Sequence, residues 1–161
     1  MFCVRKTGVT SGCGNRLRFD QLIDNKTIVE KESALLIIDI DDFKGINDSF
    51  NHSIGDFILK EMVLIMESCV RESDQVFRIG GDEFVILLKN MRNHSEIATT
   101  AQRLINNCSK DIGIDDKNIK ITISIGIATS ESQGTAIDEL YKKADANLYR
   151  AKEKGKNQFV M

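Results

Sequence analysis

Apolar and polar residues alternate along this chain with periods that predict a short list of elements. Residues up to about Arg16 read as irregular, with Gly8, Gly12 and Gly14 breaking any helix. From there to about Lys31, Leu17, Leu22, Ile23 and Ile28 predict a ragged helix. The unbroken apolar run Ala34–Leu35–Leu36–Ile37–Ile38 predicts a central strand buried on both faces. A helix over about 42–50 would place Phe43, Ile46, Asn47 and Phe50 on one face. A second, starting near Gly55, would bury Ile58, Leu59, Met62, Met66, Cys69 and Val70. Two β-rich runs, 75–79 and 84–88, flank Gly80–Gly81–Asp82–Glu83, a hairpin signal in which paired glycines supply positive φ angles. A further helix follows over about 95–109. Ile119, Ile121, Ile123, Ile125 and Ile127 then alternate with smaller or polar residues, the period of a half-buried strand. The last helix is expected to open at Thr135, with Asp138 completing a capping box, and to end at Gly155. Leu140, Tyr141, Ala144, Leu148 and Ala151 carry its apolar stripe. The resulting order, β-α-α-β-β-α-β-α, predicts an α+β fold of the ferredoxin-like or polymerase-palm kind, a central sheet covered by helices.

A chain of 161 residues supports one such domain, taken here as residues 1–161 with an irregular lead-in over about 1–15. The net charge of −2 excludes a global basic field, so binding to nucleic acid is not expected and anionic ligands must be met by local charge. No apolar run approaches the length of a membrane span, and Arg5 and Lys6 precede no signal-peptide core. Cys3, Cys13, Cys69 and Cys108 have neither zinc-ligand nor disulfide-framework spacing, which fits reduced thiols and a cytoplasmic location.

Asp39 follows the apolar strand directly, and Asp82 and Glu83 occupy the hairpin. Acids at a strand end and on an adjacent hairpin can converge, and their mutual repulsion then calls for a shared cation. Hard oxygen ligands of this kind suit Mg2+ or Mn2+. Taken singly, Asp41 or Asp42 reads as an N-cap and Glu83 as a solvated turn residue. Asn47 shares its face with Phe43, Ile46 and Phe50, so its amide points inward or into a cleft, where a base edge offers both donors and acceptors. Asp56 reads either as helix-end stabilisation or as an acceptor for guanine N–H groups. Lys152 and Lys156, one helical turn apart, and Lys44 are candidates for a triphosphate, although lysines near a helix C-terminus also answer the macrodipole.

Together these segments resemble the GGDEF family. The resemblance is carried by Asp39–Ile–Asp–Asp–Phe–Lys–Gly–Ile–Asn–Asp48, His52, Gly55–Asp56 and Arg78–Ile–Gly–Gly–Asp–Glu–Phe84. It continues in Ser124–Ile–Gly126, Ala144–Asp–Ala–Asn–Leu–Tyr149 and Ala151–Lys–Glu–Lys–Gly–Lys–Asn157. The resemblance implies a diguanylate cyclase catalytic domain that condenses two GTP into cyclic di-GMP and two pyrophosphates. Asp39 and Asp82 match the family's metal-binding acids, with the Ile40 carbonyl as a further ligand. Glu83 matches the signature acid that helps bind metal or activates the attacking hydroxyl. Asn47 and Asp56 match the guanine readers, and Lys44, Lys152 and Lys156 match positions facing the triphosphate. Arg71 and Asp74 match the R-x-x-D product-inhibition site, which binds cyclic di-GMP.

Four departures stand out: Asn51 where glycine is usual before His52, Ser11–Gly–Cys–Gly–Asn–Arg16 in place of Thr-Gly-Leu-Pro-Asn-Arg, Gly8 where an aspartate commonly precedes that entry, and Lys156 for a common arginine. The last keeps the charge but loses the bidentate fork. The family mechanism implies a homodimer with one GTP per domain, inert as a monomer, and a sensory domain in the full-length protein. Two other readings remain open at this stage. One is a catalytically silent receptor for GTP or cyclic di-GMP on the same fold; the other is a different nucleotide cyclase or palm enzyme.

Overall fold

The computed structural model describes residues 13–114 and 116–161. The apolar run becomes β2 (Ala34–Ile40), the middle strand of a five-stranded sheet. It pairs antiparallel with β4 (Glu83–Leu88) on one side and with β7 (Ile123–Thr129) on the other. The edges are β3 (Gln75–Arg78), antiparallel to β4, and β9 (Phe159–Val160), parallel to β7. Successive side chains of a strand point to opposite faces, and here both faces are covered. Leu36, Ile38 and Ile40 pack with Ile58 and Met62 of α3 (His52–Ser68) and Leu104 of α4 (His94–Cys108). Leu35 and Ile37 pack with Phe19 of α1 (Arg16–Asp24) and with Leu140, Ala144 and Leu148 of α5 (Ile137–Glu153). The α+β sheet covered by helices is thus as expected. Among the described residues no helix is long and apolar enough to cross a membrane.

Four expectations are corrected. The helix expected to run to about Lys31 ends at Asp24, and Ile28 and Val29 form β1 (Ile28–Val29), paired with β8 (Thr135–Ala136). Thr135 is therefore a buried strand residue whose hydroxyl accepts from the Glu131 N–H at 3.0 Å, while α5 starts two residues later without a side-chain cap. The single strand expected through residues 119–127 divides at Thr122 into β6 (Lys117–Ile121), which forms a separate ribbon with β5 (Lys110–Ile114), and β7. Nor is β7 half-buried: Ser124 and Ile125 are both fully inaccessible. Its alternation separates large side chains facing α3 and α4 from small ones under α5, not buried positions from wet ones. Of the lead-in expected over about 1–15, residues 1–12, with Cys3, Gly8 and Gly12, lie outside the described residues.

Two of the departures from the family pattern, at Gly14 and Asn51, have local structural consequences. Gly14 joins the sheet edge, its N–H donating to the Val76 carbonyl at 2.8 Å and its carbonyl accepting from Arg78 N–H at 2.9 Å. A Cβ at Gly14 would lie 2.4 Å from the buried Phe77 ring, which would have to shift to admit it. Asn51 is the N-cap of α3 and accepts from the Ile54 N–H at 3.0 Å, a bond glycine has no side chain to make. Asn51→Ala should lower the stability measured by urea unfolding by about 1 kcal/mol.

Candidate functional site

The site gathers at the carboxyl end of β2. In the β2–β4 ladder Asp39 stands directly opposite Glu83, and the next N–H, of Ile40, donates to the Asp82 carbonyl at 3.2 Å. The backbones of Asp39, Ile40, Asp82 and Glu83 are therefore neighbours at this end of the sheet. Burial raises the Asp39 carboxyl above its usual range; the Lys152 ammonium, 2.9 Å away, opposes this, and the charges of Asp82 and Asp41 add to it. Glu83 is raised as well, first by burial and then by the charges of Asp39 and Asp145, against the pull of Lys152.

The turn carrying the signature differs from its expectation. Neither Gly80 nor Gly81 has a positive φ. A Cβ at Gly80 would lie 3.2 Å from Glu83 Cβ, so that glycine keeps room beside the acid, while Gly81 faces open space. The turn is held instead by Arg78, whose guanidinium donates to the Gly80 and Gly81 carbonyls at 3.2 and 2.9 Å. Arg16 adds a bond to the Ile79 carbonyl at 3.0 Å. Sequence reasoning assigned neither arginine a role, because a donor to a turn carbonyl has no spacing signature of its own.

Asn47 lies on α2 (Phe43–Ser49), with Phe43 and Ile46 buried beside it. Its Oδ1 is buried and has no hydrogen-bond partner. A Cβ on Gly55 would lie 1.9 Å from that oxygen, so the glycine preceding Asp56 makes the space that Asn47 occupies. Helix α3 begins at His52 rather than near Gly55. Asp56 consequently sits beyond the first turn, where the macrodipole is felt most, and its carboxylate is exposed. A buried amide oxygen lacking a donor, next to an exposed carboxylate, can together receive the N–H groups of a base edge.

The three lysines are placed differently from one another. Lys44 is exposed on α2. Lys152, in the last turn of α5, pairs with Asp39, and Lys156 pairs with Asp42 at 2.7 Å. The expectation that Lys152 and Lys156 share a helical turn is corrected, because α5 stops at Glu153. Gly155, at φ +114°, ends it as expected: the Lys156 N–H donates to the Ala151 carbonyl at 3.1 Å and the Gly155 N–H to that of Lys152 at 3.2 Å, a Schellman turn.

Arg71 and Asp74 lie apart from this cluster, at the start of β3. Asp74 is buried and accepts from the Arg71 N–H at 2.8 Å and the Lys89 N–H at 3.0 Å. The Arg71 guanidinium is paired with Glu96. Beside it opens a cavity of about 490 Å³ whose lining includes Cys69, Arg71, Thr100 and Arg103. Glu96 and Arg103, both on α4, were not foreseen, since nothing in their spacing connects them to the R-x-x-D segment.

Among the described residues no three His, Cys, Asp or Glu side chains form a ready-made metal cluster. The donor chemistry nevertheless suits a hard divalent cation. Asp39 and Glu83 face each other across two paired strands, part-buried, each raised by burial and by neighbouring negative charge, with Lys152 as the balancing cation.

The family model described as "Diguanylate cyclase, GGDEF domain" matches residues 7–158. The bifunctional diguanylate cyclase/cyclic di-GMP phosphodiesterase MucR of Pseudomonas aeruginosa is 36% identical over 88% of this chain and 21% of its own length. Diguanylate cyclase DgcM of Escherichia coli K12 is 41% identical over 82% of this chain and 31% of its own. This chain therefore spans only a part of the length of these relatives. Among solved structures, the GGDEF domain of DgcB from Caulobacter crescentus, in complex with c-di-GMP, superposes with a TM-score of 0.80 at 28% identity, covering 91% of this chain and 89% of that one. By its matching motifs, its fold and its relatives, the chain belongs to the GGDEF family of diguanylate cyclase domains.

Proposed function

We propose that this chain is a diguanylate cyclase catalytic domain that joins two GTP into cyclic di-GMP across a dimer of such domains. The observation that carries the reading is the orphaned, buried Asn47 oxygen on α2, taken with the acid pair, Asp39 and Glu83, that faces across the sheet. One feature reads a base and the other suits metal-bound phosphate. Asn47 Oδ1 and the Asp56 carboxylate accept from guanine N–H groups, which selects GTP over ATP. Lys44, Lys152 and Lys156 meet the triphosphate, which competes with Asp39 and Asp42 for the last two ammonium groups. Asp39, Asp82, Glu83 and the Ile40 carbonyl would hold Mg2+ or Mn2+, which would neutralise developing charge on the phosphate and lower the pKa of the attacking 3′-hydroxyl. The 3′-oxygen of one nucleotide attacks the α-phosphorus of the other, and pyrophosphate leaves. Repetition in the opposite sense closes the ring.

Incubation with GTP and Mg2+, with nucleotides resolved by chromatography, should yield cyclic di-GMP from the wild type and none from Asp82→Asn. Binding of cyclic di-GMP with no turnover, even after forced dimerisation through a fused coiled coil, would instead make the domain a receptor. Because each domain supplies half of the site, the rate should rise more steeply than linearly with protein concentration. A strictly linear rise across a range in which sedimentation shows monomer would refute the dimer requirement.

A further inference from the structure

Asp41 stands two residues beyond Asp39 and is 6% exposed, yet its carboxylate is occupied elsewhere. Its Oδ1 accepts from the Ser124 hydroxyl at 2.7 Å. Its Oδ2 accepts from the Thr122 hydroxyl at 2.7 Å and from the backbone N–H of Asn157 at 3.1 Å. Two of these donors belong to the junction of β6 and β7, and the third to the segment that follows α5. Asp41 therefore ties the end of the central strand to the chain carrying Lys156.

That segment needs such a tie. Lys156 and Asn157 have φ of 64° and 49°, in the left-handed region that side-chain-bearing residues enter at a cost. The backbone before Lys156 is fixed by the Schellman bond to Ala151, and the backbone after it by Asp41. The Ser109 hydroxyl donates to Asn157 Oδ1 at 2.7 Å, and the Ile125 N–H donates to the Gln158 carbonyl at 3.0 Å, where β9 begins its run beside β7. From this frame the Lys156 ammonium reaches Asp42 Oδ1 at 2.7 Å, at the mouth of the site.

We propose that Asp41 is a positioning residue that holds the Lys156–Asn157 backbone so that the Lys156 ammonium meets the nucleotide's phosphates. The proposal rests on the nucleotide reading above only in giving Lys156 a triphosphate to meet. Asp41 itself touches neither substrate nor metal.

The test compares wild type, Asp41→Asn, Asp41→Ala and Lys156→Ala by amide hydrogen exchange and by calorimetric binding of GTP and of guanosine. In Asp41→Asn the amide oxygen can still accept from Asn157 while its NH2 donates to the rotated Ser124 hydroxyl, so affinity should stay within about threefold of wild type. Asp41→Ala should speed exchange at the Asn157 amide and weaken GTP binding by about tenfold, the scale of one charge-assisted hydrogen bond. It should leave guanosine binding unchanged, and adding Lys156→Ala should cause no further loss. If Asp41→Ala does not fold, Asp41→Ser is the alternative, being polar but too short to reach the Asn157 N–H. Unchanged Asn157 exchange, or equal losses for GTP and guanosine, would overturn the positioning role. A wild type that binds neither ligand while Asn157 exchange still responds to Asp41 would overturn the nucleotide reading, and with it the phosphate half of the proposal.

Discussion

Glu83→Gln should reduce cyclic di-GMP synthesis by about 10²–10³-fold while making the nucleotide-free protein slightly more stable. The loss follows from removing one of the charges that the site presents to a cation and to the developing transition state, an effect of about that size in other polar active sites. The gain follows from electrostatics in the absence of ligand. Burial raises the Glu83 carboxyl above its ordinary value, and Asp39, Asp145 and Asp82 raise it further. A carboxyl whose folded-state pKa is raised binds its proton more tightly in the folded state than in the unfolded chain. Its contribution is therefore fully present below the unfolded value of about 4.5 and is lost as pH rises through the folded one. Asp39 acts in the same sense. Melts across pH 4 to 8 should thus show wild-type stability falling through the upper carboxylate range, a fall that Glu83→Gln makes smaller. Because Glu83 is only part-buried, solvent screening keeps the gain small. A variant that loses activity and also melts well below wild type would mean that Glu83 supports the fold rather than the chemistry.

Much of this was legible in the sequence because the residues concerned obey local rules. The β2 run, the α3 stripe of Ile58, Leu59, Met62 and Met66, and the stop at Gly155 each depend on neighbours within one or two turns. The facing of Asp39 and Glu83 was legible because a strand end and a hairpin place them by register alone. What failed depended on distant chain. Whether residues 119–127 form one strand or two is decided by Thr122, which bonds to Asp41 about eighty positions earlier. Thr135 has an N-cap's side chain but spends it on the turn at Glu131, because residues 135–136 pair with residues 28–29. Lys156 is helically spaced from Lys152 only until Gly155 reverses the chain. Arg78, Arg103 and Glu96 act through long-range or turn contacts that no periodicity records. The matched motif did carry Gly55 and Gly126, but their roles, as space for Asn47 and for a helix, become visible only when the second element is in place.

Gly126→Ala should be the most destabilising of the glycine-to-alanine substitutions among the described residues, costing about 3 kcal/mol or more, at or above the upper end of the usual range for overpacking. A Cβ there would lie 2.0 Å from the Ala144 carbonyl oxygen and 2.2 Å from the Leu148 nitrogen. Both are backbone atoms of α5, so no side chain can turn aside to relieve the clash; the helix must lift off the sheet. At about 2–4 °C per kcal/mol for a chain of this size, the melting temperature should fall by roughly 6–12 °C. Gly45→Ala is the matching control. A Cβ on Gly45, which lies on α2, would meet nothing within 4 Å, and alanine there should stabilise by about 0.5–1 kcal/mol. The cost at Gly126 should reach the site as well, because α5 carries Lys152 to its 2.9 Å contact with Asp39. Lifting α5 by the ångström or so needed to admit a methyl group would pull that ammonium from its carboxylate, and GTP affinity should fall along with the melting temperature. A Gly126→Ala protein that melts near wild type and binds GTP normally would show that α5 can rise without moving its C-terminal turn, and that the site is framed from the Asp41 side alone.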